Sequence, residues 1–454
     1  MSNADWVARS LAHVWNPCTQ MQDHAGGANA PLPLIPVRRA EGVWLEDFDG
    51  KRYLDAVSSW WTNVFGHRHP HIVNALKQQL DQLDHVMLGG FTHQPAVELA
   101  ERLCKLAPPG LTRCFYADNG SAAIEVALKM SFHYWRNTGK PAKQRFITLS
   151  NGYHGETLGA LAVGDTGLYR ETYAPLLMQP IVVASPDCYE RRPGESWEDH
   201  TRRQFAQMED ALTRHAHEVS AVILEPLVQC AGGMRMYHPV YLSLLREACD
   251  RHGVHLIADE IAVGFGRTGK LFACEYAKIT PDFLCLSKGL TGGTLPLAVT
   301  LTRDEIYAAF YDEYNAGKAF LHSHSYTGNA LACRAALATL DLFAPPEVLA
   351  RNRQLAQLMW AGTDELRSHP YVAEVRQQGM ILAIEMTKNA RKREPYPASE
   401  RRGLRVYQYG LKHGVLLRPL GNVIYFMPPY VIDPEEIGLM CRVATEGVME
   451  ATSD

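Results

Sequence analysis

DFLCLSKGLTGG, residues 282–293, is an apolar run that ends at a lysine and enters a glycine-rich turn. The run predicts a short buried strand with Lys288 at its end. A lysine in that position is unfavourable without a partner or a chemical role, because burial penalises its charge. A desolvated lysine can lose its proton and form a Schiff base with an aldehyde cofactor. The alternative is an ordinary turn lysine that reaches solvent.

A second apolar run ends in two acidic residues. HLIADE, residues 255–260, precedes the glycine-rich stretch IAVGFGRTG, residues 261–269. Ligands of α/β sheets bind at the carboxyl ends of strands, so Asp259 and Lys288 are expected in one crevice. A carboxylate beside a pyridine nitrogen keeps that nitrogen protonated, and a protonated pyridine withdraws electrons. The pair therefore suits pyridoxal 5'-phosphate (PLP) chemistry, with a strand-end salt bridge as the alternative.

The bulk composition limits the classes of function. The chain has 454 residues, 46% hydrophobic and 21% charged, which predicts two or three globular domains. The net charge is −4 without a long basic run, so no nucleic-acid partner is expected. No apolar stretch approaches the roughly 20 residues that span a bilayer, so no membrane partner is expected either.

The cysteines and the N-terminus indicate a compartment. Ten cysteines are scattered without a C-x-x-C pair, and several lie in apolar runs, as reduced core thiols do. The first residues, MSNADW, lack a signal-peptide pattern. We therefore expect a cytoplasmic protein without disulfides.

The segment from 110 to 300 alternates strands and helices. Its strands are continuous apolar runs, which predicts an α/β fold with a mostly parallel central sheet covered on both faces. One strand, 113–117, leads through Asp-Asn-Gly-Ser into a helix over 122–136. A helix N-terminus behind such a turn favours phosphate, at Gly120 and Ser121. A serine cap without a ligand is the alternative.

The flanking segments predict the domain organisation. Residues 1–75 form an arm and a hairpin that belong to a small domain, 76–340 form the large cofactor-binding domain, and 341–454 form the rest of the smaller α+β domain. The hairpin spans 42–55 around Asp-Gly. In the last segment, residues 414–419 and 423–430 are predicted to pair with each other.

Several side chains are candidates for ligand contacts, each with a structural alternative. Trp60 and Trp61, in a serine-rich loop, suit either a pocket wall or the core. Arg418 ends a strand and suits either the surface or the binding of a carboxylate. Tyr153 follows a strand and can lie flat on a planar ring. His322 and His324 could be metal ligands, but no third ligand lies in clear register, so no metal site is predicted.

Four motifs, in this order and spacing, resemble the class III PLP-dependent aminotransferases over nearly the whole chain. They are Glu225-Pro226, Asp259-Glu260-Ile261, GFGRTG at 264–269 and SKG at 287–289. Further motifs resemble the branch that transfers an amino group from S-adenosylmethionine to 8-amino-7-oxononanoate in biotin biosynthesis. They are WNPCTQM at 15–21, SSWW at 58–61, RPLG at 418–421 and YFMPPY at 425–430.

The resemblance implies a PLP-dependent transferase of fold type I, a homodimer whose active sites are shared between subunits. It implies that Lys288 forms the Schiff base, that Asp259 contacts the pyridine nitrogen, and that Tyr153 stacks on the ring. These three would be the catalytic residues. The resemblance assigns the remaining cofactor contacts to Gly120, Ser121, Ile261, His324 and Ser325, with Ser325 supplied to the phosphate by the partner subunit.

The resemblance also implies a set of substrate-binding residues: Cys18, Trp60, Trp61, Tyr153, Lys288, Ser323, Arg418 and Tyr425. In this set, Trp60 lines the pocket and Arg418 binds the carboxylate of the oxononanoate. Two positions depart from the family pattern. Cys18 stands where a tyrosine is common, and Ser323-His324-Ser325 stands where Gly-Pro-Thr is common. Ser325 keeps the hydroxyl that would meet the phosphate.

Other functions remain open on the same residues. One is an ω-amine:pyruvate or ornithine-type transaminase of the same class. A second is a PLP lyase, decarboxylase or aminomutase, and a third is a non-catalytic protein on this scaffold. Retention of both Asp259 and Lys288 disfavours the third.

Overall fold

The computed structural model describes residues 1–453. Its strands, in chain order, are Val37–Glu41 (β1), Trp44–Asp47 (β2), Arg52–Asp55 (β3), Leu111–Ala117 (β4), Arg145–Leu149 (β5), Ile181–Val183 (β6), Val219–Leu224 (β7), Val228–Gln229 (β8), Arg235–Met236 (β9), His255–Asp259 (β10), Phe283–Leu286 (β11), Ala298–Arg303 (β12), Val372–Gln378 (β13), Ile381–Met386 (β14), Val415–Leu416 (β15) and Val423–Phe426 (β16).

The helices, in chain order, are Asn3–His13 (α1), the single turn Ser58–Trp61 (α2), Pro70–Leu80 (α3), Gln94–Leu106 (α4), Gly120–Asn137 (α5), Leu158–Ala162 (α6), Gly167–Tyr173 (α7), Trp197–His215 (α8), Val240–His252 (α9), Asp304–Ala308 (α10), Ala330–Phe343 (α11), Glu347–Gly362 (α12), Asp364–Arg367 (α13), Arg402–Lys412 (α14) and Pro434–Ala451 (α15). Within residues 1–453, no helix combines the length and the apolar character needed to cross a membrane.

The chain folds into two compact units. The first unit combines Met1–His69 with the chain from Ala350 onward, and the second unit is Pro70–Leu349. These boundaries fall between 69 and 70 and between 349 and 350, whereas the sequence predicted 75/76 and 340/341. Helix α3 stays whole in the second unit because its buried residues pack against those of α11.

A seven-stranded sheet forms the centre of the second unit. Its strand order is β4-β12-β11-β10-β7-β5-β6. Strand β12 runs antiparallel to both of its neighbours, and the other pairs are parallel. The predicted α/β fold with a mostly parallel central sheet is confirmed. In the register of β10 and β11, Asp259 is opposite Cys285, so the two polar strand ends are neighbours.

The core of the second unit explains why its strands are continuous apolar runs. Every residue of β7 is buried, as is every residue of β10 and β11. Helix α5 packs its apolar side chains, among them Ile124 and Val126, into the same cluster as Ile257 and Phe283. Burial of apolar surface contributes about 25 cal/mol per Å², so this layer stabilises the second unit. It also fixes the strand ends from which the polar side chains project.

The first unit contains two smaller sheets. One has the order β1-β2-β3-β15, and the other is an antiparallel β13-β14-β16. The predicted pairing of 414–419 with 423–430 is therefore wrong. Strand β15 pairs in parallel with β3, and β16 pairs with β14. Alternation of apolar residues marks a strand but not its partner, and the connecting Pro419 lacks the N–H that a ladder requires.

The turn α2 in the first unit is left-handed. Ser58, Ser59, Trp60 and Trp61 have φ values of +48°, +46°, +66° and +74°. Each non-glycine residue in this conformation costs on the order of 1–2 kcal/mol, because Cβ crowds the following carbonyl. Four in succession require support from the surrounding structure.

Candidate active site

Lys288 occupies the start of a tight turn directly after β11. Its φ of +43° is a left-handed conformation, which non-glycine residues adopt mainly where surrounding structure imposes it. Burial lowers the pKa of the Lys288 ammonium, and the charge of Asp259 opposes that shift only in part. A lysine of depressed pKa more readily supplies an uncharged amine.

Asp259 ends β10 and is buried. Its Oδ2 lies 2.7 Å from Nδ1 of His154, and its Oδ1 accepts the backbone N–H of Ile261 at 3.1 Å. A carboxylate accepts hydrogen bonds, so the Nδ1 of the buried His154 carries the donated hydrogen. The histidine thus fixes the orientation of the carboxylate from behind.

Tyr153 is held at both ends of the residue. Its backbone N–H donates to Oε1 of Glu225 at 3.0 Å, and its hydroxyl donates to Oε1 of Glu156 at 3.0 Å. The second oxygen of Glu225 accepts the N–H of Cys230 at 3.0 Å. Burial raises the pKa of Glu225 to about 7. This buried carboxyl fixes the loop that carries Tyr153.

The N-terminus of α5 lies at the predicted anion site. Asn119 caps the helix by accepting the N–H of Ala122 at 3.0 Å. A Cβ on Gly120 would lie 3.1 Å from Cγ2 of Ile261, which is tighter than an ordinary contact. Glycine at position 120 therefore lets the backbone at the start of α5 lie close to the Ile261 side chain. Exposed N–H groups and the helix dipole at such a start favour a phosphate.

Ser121, in the first turn of α5, contacts the loop that carries Tyr153. Its Oγ accepts the N–H of Glu156 at 3.1 Å. A Cβ on Gly155 would overlap Ser121, and Gly155 has a φ of +127° that favours glycine. The loop and the helix start therefore approach each other closely.

These features of the second unit fit PLP. The cofactor requires an amine for its aldehyde, a carboxylate for its pyridine nitrogen and an anion site for its phosphate. Lys288, Asp259 and the N-terminus of α5 supply groups of these three kinds.

The residues assigned to a partner subunit lie on the loop before α11. Ser323 and Ser325 are exposed in the chain, and the carbonyl of Ser325 lies 2.9 Å from Nε2 of His85. Nδ1 of His324 lies 3.5 Å from a carboxylate oxygen of Asp118, just before the turn that opens α5.

The first unit contains a separate candidate site for substrate. The guanidinium of Arg418 lies 4.6 Å from the centroid of the Trp60 ring, a cation–π contact. Both residues line a cavity of about 310 Å³. Its other lining residues are mainly apolar and include Leu32, Pro33, Ile35, Leu45, Tyr407 and Leu416. A cation beside an apolar wall suits a carboxylate that ends an alkyl chain.

Three further predicted substrate residues also lie in the first unit. Trp61 and Tyr425 are buried, and Nε1 of Trp61 donates to the hydroxyl of Tyr425 at 3.0 Å. Trp60, by contrast, is 42% exposed. Cys18 is exposed and has a left-handed φ of +53°. The two adjacent tryptophans therefore differ in environment: Trp61 packs in the core and Trp60 is exposed to solvent.

Comparison with known proteins decides the family. The model of the class III aminotransferases matches residues 26–445. The chain belongs to the class III aminotransferases. This confirms the family predicted from the motifs.

Individual class III relatives match over almost their whole length. The adenosylmethionine-8-amino-7-oxononanoate aminotransferase of Helicobacter pylori is 44% identical over 450 residues, 98% of this chain and 97% of that protein. The crystal structure of the enzyme of that name from Methanocaldococcus jannaschii has a TM-score of 0.92 at 37% identity, covering 98% of this chain and 99% of that one. The omega transaminase of Pseudomonas jessenii, solved in complex with PMP, has a TM-score of 0.92 at 27% identity and 98% coverage of both chains.

Membership of the class III aminotransferases confirms the predicted cofactor, because enzymes of this class depend on PLP. Sequence reasoning missed the role of His154 and left Glu225 without one. The stretch NGYHG, residues 151–155, contained the signal, since it follows β5 and places a histidine beside Tyr153. Glu225 likewise follows directly after buried strand β7.

Proposed function

We propose that the chain transfers an amino group from S-adenosylmethionine to 8-amino-7-oxononanoate and forms 7,8-diaminononanoate in biotin biosynthesis. The observation that carries the proposal is the 44% identity to the Helicobacter pylori enzyme of that name over 98% of this chain. The presence of Lys288, Asp259 and Arg418, each in surroundings suited to its part in the reaction, supports it.

Lys288 and Asp259 are the proposed catalytic pair. PLP, when bound, would supply an aldehyde for the donor's amine and an electron-withdrawing ring for the negative charge that develops at the substrate carbon. Lys288, with its pKa lowered by burial, moves the proton at the substrate carbon as a general base. Asp259 supplies the negative charge that keeps the pyridine nitrogen protonated, and His154 holds that carboxylate in place.

The other cofactor contacts are proposed from position. Gly120 and Ser121 would hold the phosphate at the N-terminus of α5. Tyr153 and Ile261 would contact the ring from opposite faces, and the hydrogen bonds of Tyr153 to two glutamates limit its movement.

Arg418 and Trp60 are the proposed substrate contacts of the first unit. The guanidinium binds the carboxylate of the acceptor, and the apolar cavity beside it accepts the alkyl chain. The exposed face of Trp60 suits the cationic donor through cation–π attraction. When no substrate is bound, the guanidinium of Arg418 makes the same cation–π contact with Trp60, and this contact keeps the guanidinium in place.

The chain is proposed to act as a homodimer in the cytoplasm. Large apolar side chains are exposed on the second unit, with Tyr314 at 98%, Leu321 at 88% and Tyr311 at 78%. Exposed apolar groups of this size support a protein–protein contact. The nearby Ser323, His324 and Ser325 would then serve the partner's cofactor.

Buried thiols such as Cys249, with a pKa raised by burial to about 12, support a reducing compartment.

A donor screen tests the proposed function. The PLP-loaded chain is given 8-amino-7-oxononanoate with S-adenosylmethionine, lysine, alanine or ornithine, and formation of the diamine is measured. Turnover with S-adenosylmethionine is the expected result. Transfer from these donors to pyruvate, without turnover of the oxononanoate, would instead indicate an ω-amine transaminase. The 27% identity to an omega transaminase with a TM-score of 0.92 makes that the second candidate.

A further inference from the structure

The left-handed turn α2 contains no glycine, so its side-chain contacts must hold it. Asp55, at the end of β3, makes the contacts to the middle of the turn. Its Oδ1 accepts the backbone N–H of Ser59 at 3.0 Å, and its Oδ2 accepts the Ser59 hydroxyl at 2.7 Å. The Asp55 side chain is fully buried. A buried carboxylate with several donors is strongly oriented.

The same carboxylate also holds the chain that follows the turn. Nε2 of His67 lies 2.9 Å from Oδ2 of Asp55. On the other side of the ring, the amide nitrogen of Asn63 lies 3.3 Å from Nδ1 of His67. With that nitrogen donating, Nδ1 accepts, so Nε2 carries the hydrogen that is donated to Asp55. Asp55 thus ties Ser59 and the loop beyond the turn to one buried group.

The ends of the turn are held by other partners. Ser58 donates its hydroxyl to the carbonyl of Met427 at 2.7 Å, and Trp61 donates to Tyr425. These bonds fix the first and last residues of α2, and the bonds of Asp55 fix Ser59, directly before Trp60. The ring of Trp60 then stands outside the core and over Arg418.

We propose that Asp55, with Ser59 and His67, is a positioning group that holds Trp60 over Arg418 and so presets the carboxylate site. This inference rests on the proposed function, because it gives Arg418 a carboxylate ligand. Without these bonds, Ser59 and Trp60 relax toward the ordinary right-handed or extended conformations. The Trp60 ring then leaves Arg418, and the guanidinium loses its fixed orientation toward substrate.

Asp47 offers a matched control in the same unit. It is a buried aspartate at the end of β2, where its Oδ1 accepts the N–H groups of Asp49 and Lys51 at 3.0 and 2.9 Å. Its Oδ2 accepts the Tyr53 hydroxyl at 3.1 Å. Tyr53 lines the same cavity as Arg418, so Asp55→Asn and Asp47→Asn remove comparable buried charges near that cavity. Only Asp55 contacts the turn α2.

The test uses the full PLP-loaded chain and two readouts. Calorimetric titration with nonanoate, a nine-carbon carboxylate, reports the site without catalysis, and steady-state kinetics report KM and kcat for the oxononanoate. For Asp55→Asn we expect the Kd of nonanoate and the KM to rise about tenfold, with kcat changed less than twofold. Asp47→Asn should lower the melting temperature and leave both constants within twofold. Ser59→Ala, which removes a single hydroxyl bond, should raise them about threefold.

The outcomes separate the positioning role from the proposed function. If the chain shows no turnover of the oxononanoate, the proposed function fails, while the nonanoate titration still tests Asp55. The inference is overturned if Asp55→Asn binds nonanoate like the unaltered chain, if Asp47→Asn weakens binding equally, or if the unaltered chain does not bind nonanoate. Should Asp55→Asn fail to fold, an unchanged Kd in Ser59→Ala overturns it instead.

Discussion

Lys288 and Trp60 both have a left-handed backbone without being glycine, but their surroundings differ. Lys288 is one such residue, at the end of a buried strand and beside the buried acid Asp259. Trp60 belongs to a run of four and is 42% exposed, and the guanidinium of Arg418 lies over its ring. The proposed chemical site is thus built on packed strand ends, and the proposed recognition site on a strained turn held by hydrogen bonds.

This difference predicts how each region fails. Groups in the second unit share low-dielectric surroundings, so removing one charge changes the protonation of its neighbours. Side chains in the first unit act through position, so their removal should change affinity more than the chemical step. Each variant below either separates the two regions or shows that they are not distinct.

The largest effect is expected for Lys288→Ala. Loss of the general base alone should slow amine transfer by about 10²–10⁴-fold, because proton transfer contributes that much. Single-turnover absorbance changes of the bound cofactor measure the rate, and borohydride reduction should no longer label the peptide around residue 288. Lys143→Ala is the control, since the buried Lys143 ammonium donates to the backbone carbonyls of Ala216 and Val219. Equal loss of activity in the control would contradict the assignment.

Asp259→Asn and His154→Asn should give graded losses of kcat. Removing the charge at Asp259 should cost about 10²–10³-fold, as loss of a preorganised electrostatic group does. Removing the supporting histidine, 2.7 Å away, should cost roughly tenfold, because it acts through the carboxylate. Measurement of kcat for both variants under the same conditions tests this order. A larger loss in His154→Asn than in Asp259→Asn would reverse the proposed roles.

Arg418→Met should raise the KM for the oxononanoate by about 10–100-fold, since charge-assisted hydrogen bonds contribute about 1.5–3 kcal/mol. The half-reaction with the amino donor should keep its rate. Arg39→Met is the control, as this exposed arginine of the same unit forms its ion pair with Glu46. If Arg418→Met lowered kcat and left KM unchanged, the proposed difference between the two regions would be contradicted.

A separate effect, on stability and not on activity, concerns acid pH in the second unit. Burial lowers the pKa of His255, in β10, from 6.5 to about 4. Between these values the unfolded chain binds a proton that the folded chain does not, so the free energy of unfolding falls as pH falls from about 6.5 to 4. His255→Phe should reduce that decline by roughly 2–3 kcal/mol in denaturant titrations at both pH values. An unchanged decline in His255→Phe, or an equal reduction in the control His252→Gln, would contradict this.

The strand ends that carry the proposed chemical residues were largely predictable, because the strand patterns place them. Continuous apolar runs predict buried parallel strands, and the strand-end rule then places Asp259 and Lys288 together. His154 was missed because its role depends on a loop that returns to the end of β10, a contact between residues far apart in sequence. No local pattern encodes such a contact.

The backbone conformation of the proposed recognition site was less predictable, for a physical reason. Left-handed turns are recognised from glycine or asparagine, and Ser-Ser-Trp-Trp contains neither. Its conformation is imposed by Asp55 and by residues near 425, which the local sequence does not reveal. The same limitation led to the wrong partner for β15, since pairing with β3 depends on the tertiary fold.

The parallel pairing of β15 with β3 joins strands that lie at opposite ends of the chain. During synthesis, the ribosome releases β3 and the Ser-Ser-Trp-Trp segment long before Val415–Leu416 and Met427 exist. The early segment therefore lacks its partners for most of translation. Its pairing with β15 is a long-range contact of the kind that slows folding. Chaperone demand during biosynthesis should accordingly concentrate on the first 69 residues, and a circular permutant that joins them to the C-terminal segment should refold faster.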